Sequence, residues 1–370
     1  MRVALHVPRP DFLEPGFSGD HFILPGIRSG LTARGHEVQV VSYLDAREVG
    51  RGSIPARHVL PEAVRVRRQM RRFRPDAWLV YTPSVTYPDL FGWWQPPRRY
   101  VLYAADKGRP ERLPRRLRPF FSAAHRRSLL TADVVGVYRP RSATRLESMG
   151  VPPNRIAVLP PMVAMPTGEV PQEEARRSLG LPLDVPVVVC VSRFTGPKAD
   201  GRPGKTEGVL QLVRSMASTP EDAVCIIVGD GEGRADVEAE RARVGLGGRV
   251  RLTGAVPNSD VHTYYAASDV FAYPYDLDRP WLSGLEAQAS GRPVVTIRTG
   301  SAEATVDDGR TGLLAEDVGE FRARLAELLS DRERCQAMGR AAREYVARHH
   351  SLDVRVGQLE ALLAGRGSPA

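Results

Sequence analysis

From residue 186 onward, short apolar runs alternate with helix-like stretches, and no other feature restricts the fold as much. Segments 186–191, 223–228, 249–253, 270–273 and 294–297 are short and rich in Val, Ile, Phe and Tyr, as strands are. Between them, 207–216, 234–244, 260–267 and 281–290 read as helices. A helix between consecutive strands carries the chain back to the same end of the sheet, so neighbours run parallel and helices cover the faces. The first half repeats the pattern less regularly, with strands at 2–7, 36–42, 77–81, 100–103 and 132–135 and helices at 22–34 and 61–73. The prediction is an α/β protein with two doubly wound domains, and 370 residues suffice for two cores. The stretch 165–184, with several Pro and Gly residues, reads as the crossing. Domains 1–166 and 167–350 and a final helical segment 351–370 follow from it.

The segments after the strands carry the chemistry. Following 187–191 comes Ser192-Arg193-Phe194-Thr195-Gly196-Pro197-Lys198, and Lys205 stands immediately before the next helix. The chain has three lysines (Lys107, Lys198, Lys205), and a merely solvated Gly-rich loop would not need two of them. Gly229-Asp230-Gly231-Glu232-Gly233 also follows a strand and has the form of a phosphate cradle. Ser268 to Leu314 runs strand, polar loop, helix, strand, with Asp278 and Glu286 eight residues apart. In open α/β sheets ligands bind outside the carboxyl ends of strands, and the free amides of a helix start suit an anion. After the first strand the text is PRPDFLEPGFSGD, which lacks G-x-G-x-x-G and disfavours a nicotinamide enzyme. The cysteines, Cys190, Cys225 and Cys335, show neither disulfide nor zinc spacing.

The text Leu285-Glu286-Ala287, Ala289, Gly291, Pro293-Val294-Val295 resembles the E-x7-E segment of the retaining GT-B glycosyltransferases of family 4 (glycosyl transferases group 1). Asp278 stands where that family writes its first Glu, and Pro280-Trp281 where it writes Phe-Gly. Arg34-Gly35-His36-Glu37-Val38, Ala132-Asp133-Val134-Val135 and Gly254-Ala255-Val256-Pro257 are similar to further family text. The resemblance implies a GT-B fold: two Rossmann-like domains facing a cleft, with the last helix returning to the first domain. It implies transfer from a nucleotide diphosphate sugar to a hydroxyl acceptor with retention, and neither a cofactor nor a metal. Arg193 and a lysine would clamp the diphosphate. Lys198 keeps the family spacing and Lys205 the family place before the helix; helix register favours Lys205.

By the same resemblance Glu286 would hold the ribose hydroxyls, since a carboxylate accepts two hydrogen bonds from a vicinal diol. Asp278 would contact the transferred sugar. Leu282 and Ser283 would offer amides, and Ser283 a hydroxyl, to the distal phosphate. Gly229 and Gly231 would lie at the donor crevice and Val256 near the nucleobase. On the acceptor side Gly19, His21 and Asp106 are the candidates, with Tyr81 and Tyr103 at strand ends. His262 and Tyr264 read as helix surface and core. Three alternatives stand beside this reading. One is a GT-B enzyme of other, epimerase-like chemistry, one a catalytically silent partner subunit. The third is a metal-dependent D-x-D site at Asp276-Leu277-Asp278.

Charge is divided unevenly. Residues 1–166 hold 27 Lys+Arg against 13 Asp+Glu, a net of +14, and residues 167–370 hold 25 against 30, a net of −5. An Arg-rich genome replaces Lys by Arg but does not place the excess in one half, so the first half is expected to meet an anion. Arg65, Arg67, Arg68, Arg71 and Arg72 lie on the helix 61–73, and Arg115, Arg116, Arg118, Arg126 and Arg127 lie near Phe120-Phe121. Peripheral docking on an anionic inner-membrane face, a soluble anionic acceptor, and a solvated surface around a neutral acceptor all fit. No run of eighteen apolar residues occurs, and MRVALHV reads as a strand rather than a signal peptide. A cytoplasmic location is expected, without a nucleic-acid partner.

Overall fold

The computed structural model describes residues 1–14, 20–94, 98–105, 110–168, 170–197, 204–274 and 282–366. The chain forms two compact units, Met1–Pro160 with Leu352–Ala370, and Pro161–Ser351. Each holds a six-stranded sheet in which every ladder is parallel.

In the first unit the strands are β1 (Arg2–His6), β2 (Glu37–Val40), β3 (Ala77–Tyr81), β4 (Arg99–Tyr103), β5 (Val134–Val137) and β6 (Ile156–Val158), in the order β2-β1-β3-β4-β5-β6. The second sheet contains β7 (Val187–Val191), β8 (Val224–Val228), β9 (Val250–Gly254), β10 (Val270–Tyr273), β11 (Val294–Ile297) and β12 (Gly312–Ala315), in the order β12-β11-β10-β7-β8-β9. Parallel strands covered on both faces are apolar throughout rather than alternating. Thus β3, β5, β8 and β10 are buried at every residue. Cys190 and Cys225 sit inside β7 and β8 as small apolar side chains, and burial pushes both thiols well up, Cys225 to about 12.

The crossover helices bury one stripe each. Helix Val59–Phe73 turns Ala63, Val66 and Met70 to the core and leaves its arginines outside. The last helix, Leu352–Leu363, returns to the first unit and packs on helix Asp20–Ala33. Arg34 pairs with Asp353 at 2.6 Å, and the Arg99 guanidinium donates to the Leu362 carbonyl at 3.0 Å. Helix Gln172–Ser178, inside the stretch read as a crossing, belongs to the second unit. Its Arg176 is buried and pairs with Asp269 at 2.7 Å.

Candidate functional site

The strand order of the second sheet reverses between β7 and β10, and open α/β sheets take their ligands at such a switch point. Arg193 follows β7 by two residues. Its side chain is exposed and forms no hydrogen bond or ion pair among the described residues. The loop beneath it is held entirely through other groups. Lys205 N–H donates to Thr195 Oγ1 at 3.1 Å, and the Thr206 hydroxyl to the Thr195 carbonyl at 3.0 Å. Gly196 N–H donates to Glu232 Oε1 at 2.5 Å, and Phe194 N–H to the Asp230 carbonyl at 2.9 Å.

Gly229 and Gly231 have φ of 136° and 150°. A Cβ would lie 1.9 Å from the Ser192 carbonyl oxygen in one case and 2.3 Å from that of Phe194 in the other. Only glycine fits both the conformation and the gap. The pattern that reads as a phosphate cradle thus has a packing cause: it lets loop 229–233 lie backbone to backbone against the Arg193 loop. Gly229 N–H also donates to the Gly254 carbonyl at 2.9 Å, which brings up the turn bearing the partly buried Val256.

Tyr273 ends β10 and is 1% exposed. Its hydroxyl donates to the Lys205 carbonyl at 2.9 Å and accepts from Ser192 Oγ at 3.3 Å. One strand end therefore ties the approach to Arg193 to the start of helix Lys205–Ser215, where Lys205 is half-buried. Lys198 lies outside the described residues, as do Asp276, Asp278, Pro280, Trp281, Gly19 and Asp106.

Glu286 sits on helix Leu282–Ala289, between β10 and β11, and is partly buried. Burial raises its carboxyl above the usual range, while a hydrogen bond from the Tyr265 hydroxyl to Oε2, at 3.0 Å, opposes the rise without cancelling it. Leu282 and Ser283 open this helix, where first-turn amides have no intrahelical acceptor. Tyr265, 1% exposed on helix Asn258–Ala267, is the residue that sequence reading misses. His262 and Tyr264 draw attention there, and both are partly buried. The signal was available in the buried i, i+4 pair Val261 and Tyr265, which marks the inward stripe.

In the first unit the strand order reverses between β1 and β3. Thr82 after β3 and Ala104 after β4 have φ of 49° and 55°, a conformation that non-glycine residues seldom hold. The Tyr81 and Tyr103 rings, 6.0 Å apart and stacked, are both buried. His21 donates from Nδ1 to the Glu14 carbonyl at 2.7 Å and sets its ring edge against Phe12, which are local packing contacts.

Comparison with known proteins identifies the family and the fold. Residues 171–345 match the family model described as Glycosyl transferases group 1, and residues 27–165 that described as Glycosyltransferase Family 4. A GDP-mannose-dependent alpha-(1-6)-phosphatidylinositol monomannoside mannosyltransferase of Mycolicibacterium smegmatis is 30% identical over 261 residues, 67% of this chain and 66% of that protein. A D-inositol 3-phosphate glycosyltransferase of Corynebacterium efficiens is 30% identical over 275 residues, 70% of this chain and 61% of that protein. The chain thus spans less than two thirds of the length of either relative. Among solved structures, Anabaena HepE in complex with UDP superposes with a TM-score of 0.74 at 18% identity, covering 99% of this chain and 100% of that one. That likeness shows the fold, and the two family matches, one in each unit, show that the chain belongs to the family 4 glycosyltransferases (glycosyl transferases group 1).

Proposed function

We propose that the protein transfers a glycosyl group from a nucleotide diphosphate sugar to a hydroxyl acceptor, with retention of configuration and without a metal. The observation that carries this reading is Arg193, a guanidinium without a partner among the described residues, at the β7–β10 switch point on a loop fixed through its backbone. Such a cation is set to stabilise a departing diphosphate without reorganising. Lys205 adds a second charge from the adjoining helix start. Glu286 accepts the ribose hydroxyls, Asp278 contacts the transferred sugar, and the departing phosphate oxygen takes the acceptor proton on the same face. The test is incubation with GDP-mannose, which the name of the Mycolicibacterium relative prints, and UDP-glucose, with which HepE has also been solved, and NMR of any released sugar. Release of the sugar with its donor anomeric configuration is expected; the opposite anomer removes retention. The absence of both sugar release and thermal stabilisation with every nucleotide sugar would sink the reading, since a ligand at a hundred times its Kd adds about 2.7 kcal/mol.

Tyr265 is proposed as a positioning residue for Glu286. The Tyr265→Phe variant removes one hydrogen bond to a charged group, so the donor KM should rise roughly tenfold with little change in kcat. The sign of the pH effect follows from the raised carboxyl. Glu286 accepts two diol hydrogen bonds only when ionised, so donor binding falls as pH drops through its folded pKa. Loss of the Tyr265 hydroxyl raises that pKa further, and the acid limb of kcat/KM should move to higher pH. An unmoved limb would assign Tyr265 to packing alone.

An anionic acceptor surface is proposed for the basic half, and the structure divides its arginines. Arg65 is tied to Glu62 at 2.6 Å, and Arg118 donates to the Glu111 and Leu113 carbonyls. Arg67, Arg68, Arg71 and Arg72 are exposed without carboxylate partners among the described residues, on a helix that also exposes Leu60 and Val64. Each such cation adds about 1 kcal/mol at an anionic membrane surface. Co-sedimentation with anionic but not neutral vesicles is expected, lost in high salt and in the variant with all four arginines changed to Glu. Salt-independent sedimentation would count against it.

A further inference from the structure

Helices Arg118–Thr131 and Pro140–Ser148 of the first unit border a half-open pocket of about 260 Å³ that the donor chemistry does not use. Its walls are mainly apolar, with Val85, Ala105, Pro110, Leu129, Leu146 and Met149. Two features of its lining point to a ligand. His125, 6% exposed, lines it, and its Nδ1 has no hydrogen-bond partner among the described residues. A buried nitrogen left unsatisfied is destabilising. Burial lowers this imidazole to about 4, so the ring is neutral near pH 7 and one of its nitrogens is an acceptor. Arg126 and Arg145, on the two different helices, also line the cavity, and both are exposed without a carboxylate partner among the described residues.

Its polar lining consists of one imidazole, two guanidinium groups and the hydroxyls of Ser122 and Ser142. An apolar body suits the walls, and an anionic head suits the two guanidinium groups. We propose that this cavity binds a small amphiphilic anion, free in solution: an apolar body of about six to eight carbons bearing a phosphate. The body lies among the apolar walls with a polar atom toward His125, and the phosphate takes Arg126 and Arg145. The inference is independent of the glycosyl-transfer reading.

Hexyl phosphate is the probe, with hexanol and inorganic phosphate as controls, and calorimetry on the full chain gives the Kd. Hexyl phosphate should bind at least tenfold more tightly than either control. Changing both Arg126 and Arg145 to Ala should weaken it about tenfold, since an exposed ion pair contributes up to roughly fivefold. Ser122→Trp, which fills the space from one wall, should abolish binding, while Arg193→Ala should leave it unchanged. His125→Phe keeps the ring volume and removes the unpaired nitrogen, so the free protein should melt higher and bind the probe several-fold more weakly. It also keeps the test open if the tryptophan variant does not fold. Loss of binding in Arg193→Ala would place the probe on the donor loop and overturn the proposal. So would hexyl phosphate binding no better than inorganic phosphate, or an His125→Phe variant with unchanged melting and affinity.

Discussion

Arg193→Ala is expected to lower turnover a hundredfold or more, while the activity of the unaltered protein survives EDTA. The first number follows from removing one preorganised cation where charge develops in the transition state, an effect on the order of 10² to 10³. The side chain has no partner in the described structure, and its loop is held by Thr195, Gly196 and Phe194 through backbone and hydroxyl contacts. The variant should therefore fold and melt like the parent, which separates lost chemistry from lost structure. Lys205→Ala should be comparably damaging. Two groups that anchor this position, its N–H on Thr195 and its carbonyl under the Tyr273 hydroxyl, survive the substitution. Lys198→Ala should be mild. Small, equal effects at the two lysines would remove both from the diphosphate. A strict manganese requirement, with Arg193→Ala nearly silent, would transfer the leaving-group role to Asp276 and Asp278.

The architecture was legible because it is written locally. Buried parallel strands must be apolar at every position, and the runs 187–191, 224–228 and 270–273 announce themselves with no knowledge of their neighbours. Arg193 and Glu286 were singled out by the resemblance to family text, and they lie two residues past β7 and on the helix between β10 and β11. What could not be read was anything fixed by non-local approach. Glycines at 229 and 231 suggest a ligand, but their missing Cβ atoms are required by the carbonyls of Ser192 and Phe194, some 37 residues away, because β7 and β8 are neighbours. The Tyr265 contact turns on a single step of helix register, which separates it from Tyr264. The stretch 165–184 was read from its Pro and Gly content as a crossing, yet it includes a helix whose Arg176 is buried against Asp269. That pair is 93 residues apart and leaves no local trace.

Asp89 is the extreme case of such a hidden residue, and its removal should have the largest effect on stability. It is 0% exposed in the first unit and accepts from His6 Nδ1 at 2.8 Å, Trp78 Nε1 at 3.1 Å and the Tyr100 hydroxyl at 2.7 Å. The amides of Phe91 and Gly92 add two more bonds at 2.9 and 3.0 Å. Burial pushes the carboxyl up, but His6 and these donors outweigh it and hold the group below the usual carboxylate range. Asp89→Ala would leave three buried side-chain donors without their acceptor. Breaking a buried pair from one side costs about 3–5 kcal/mol, a large share of a domain's stability. The loss should appear in urea as an earlier transition of the first unit. Because the folded pKa is depressed, the carboxylate's contribution is complete above the unfolded value of about 3.9 and disappears as pH falls through the lower folded one. The gap between parent and variant should therefore be constant from pH 5 to 8 and narrow only below pH 4. A gap under about 1 kcal/mol would mean that the Asp89 carboxylate does not set the stability of this cluster.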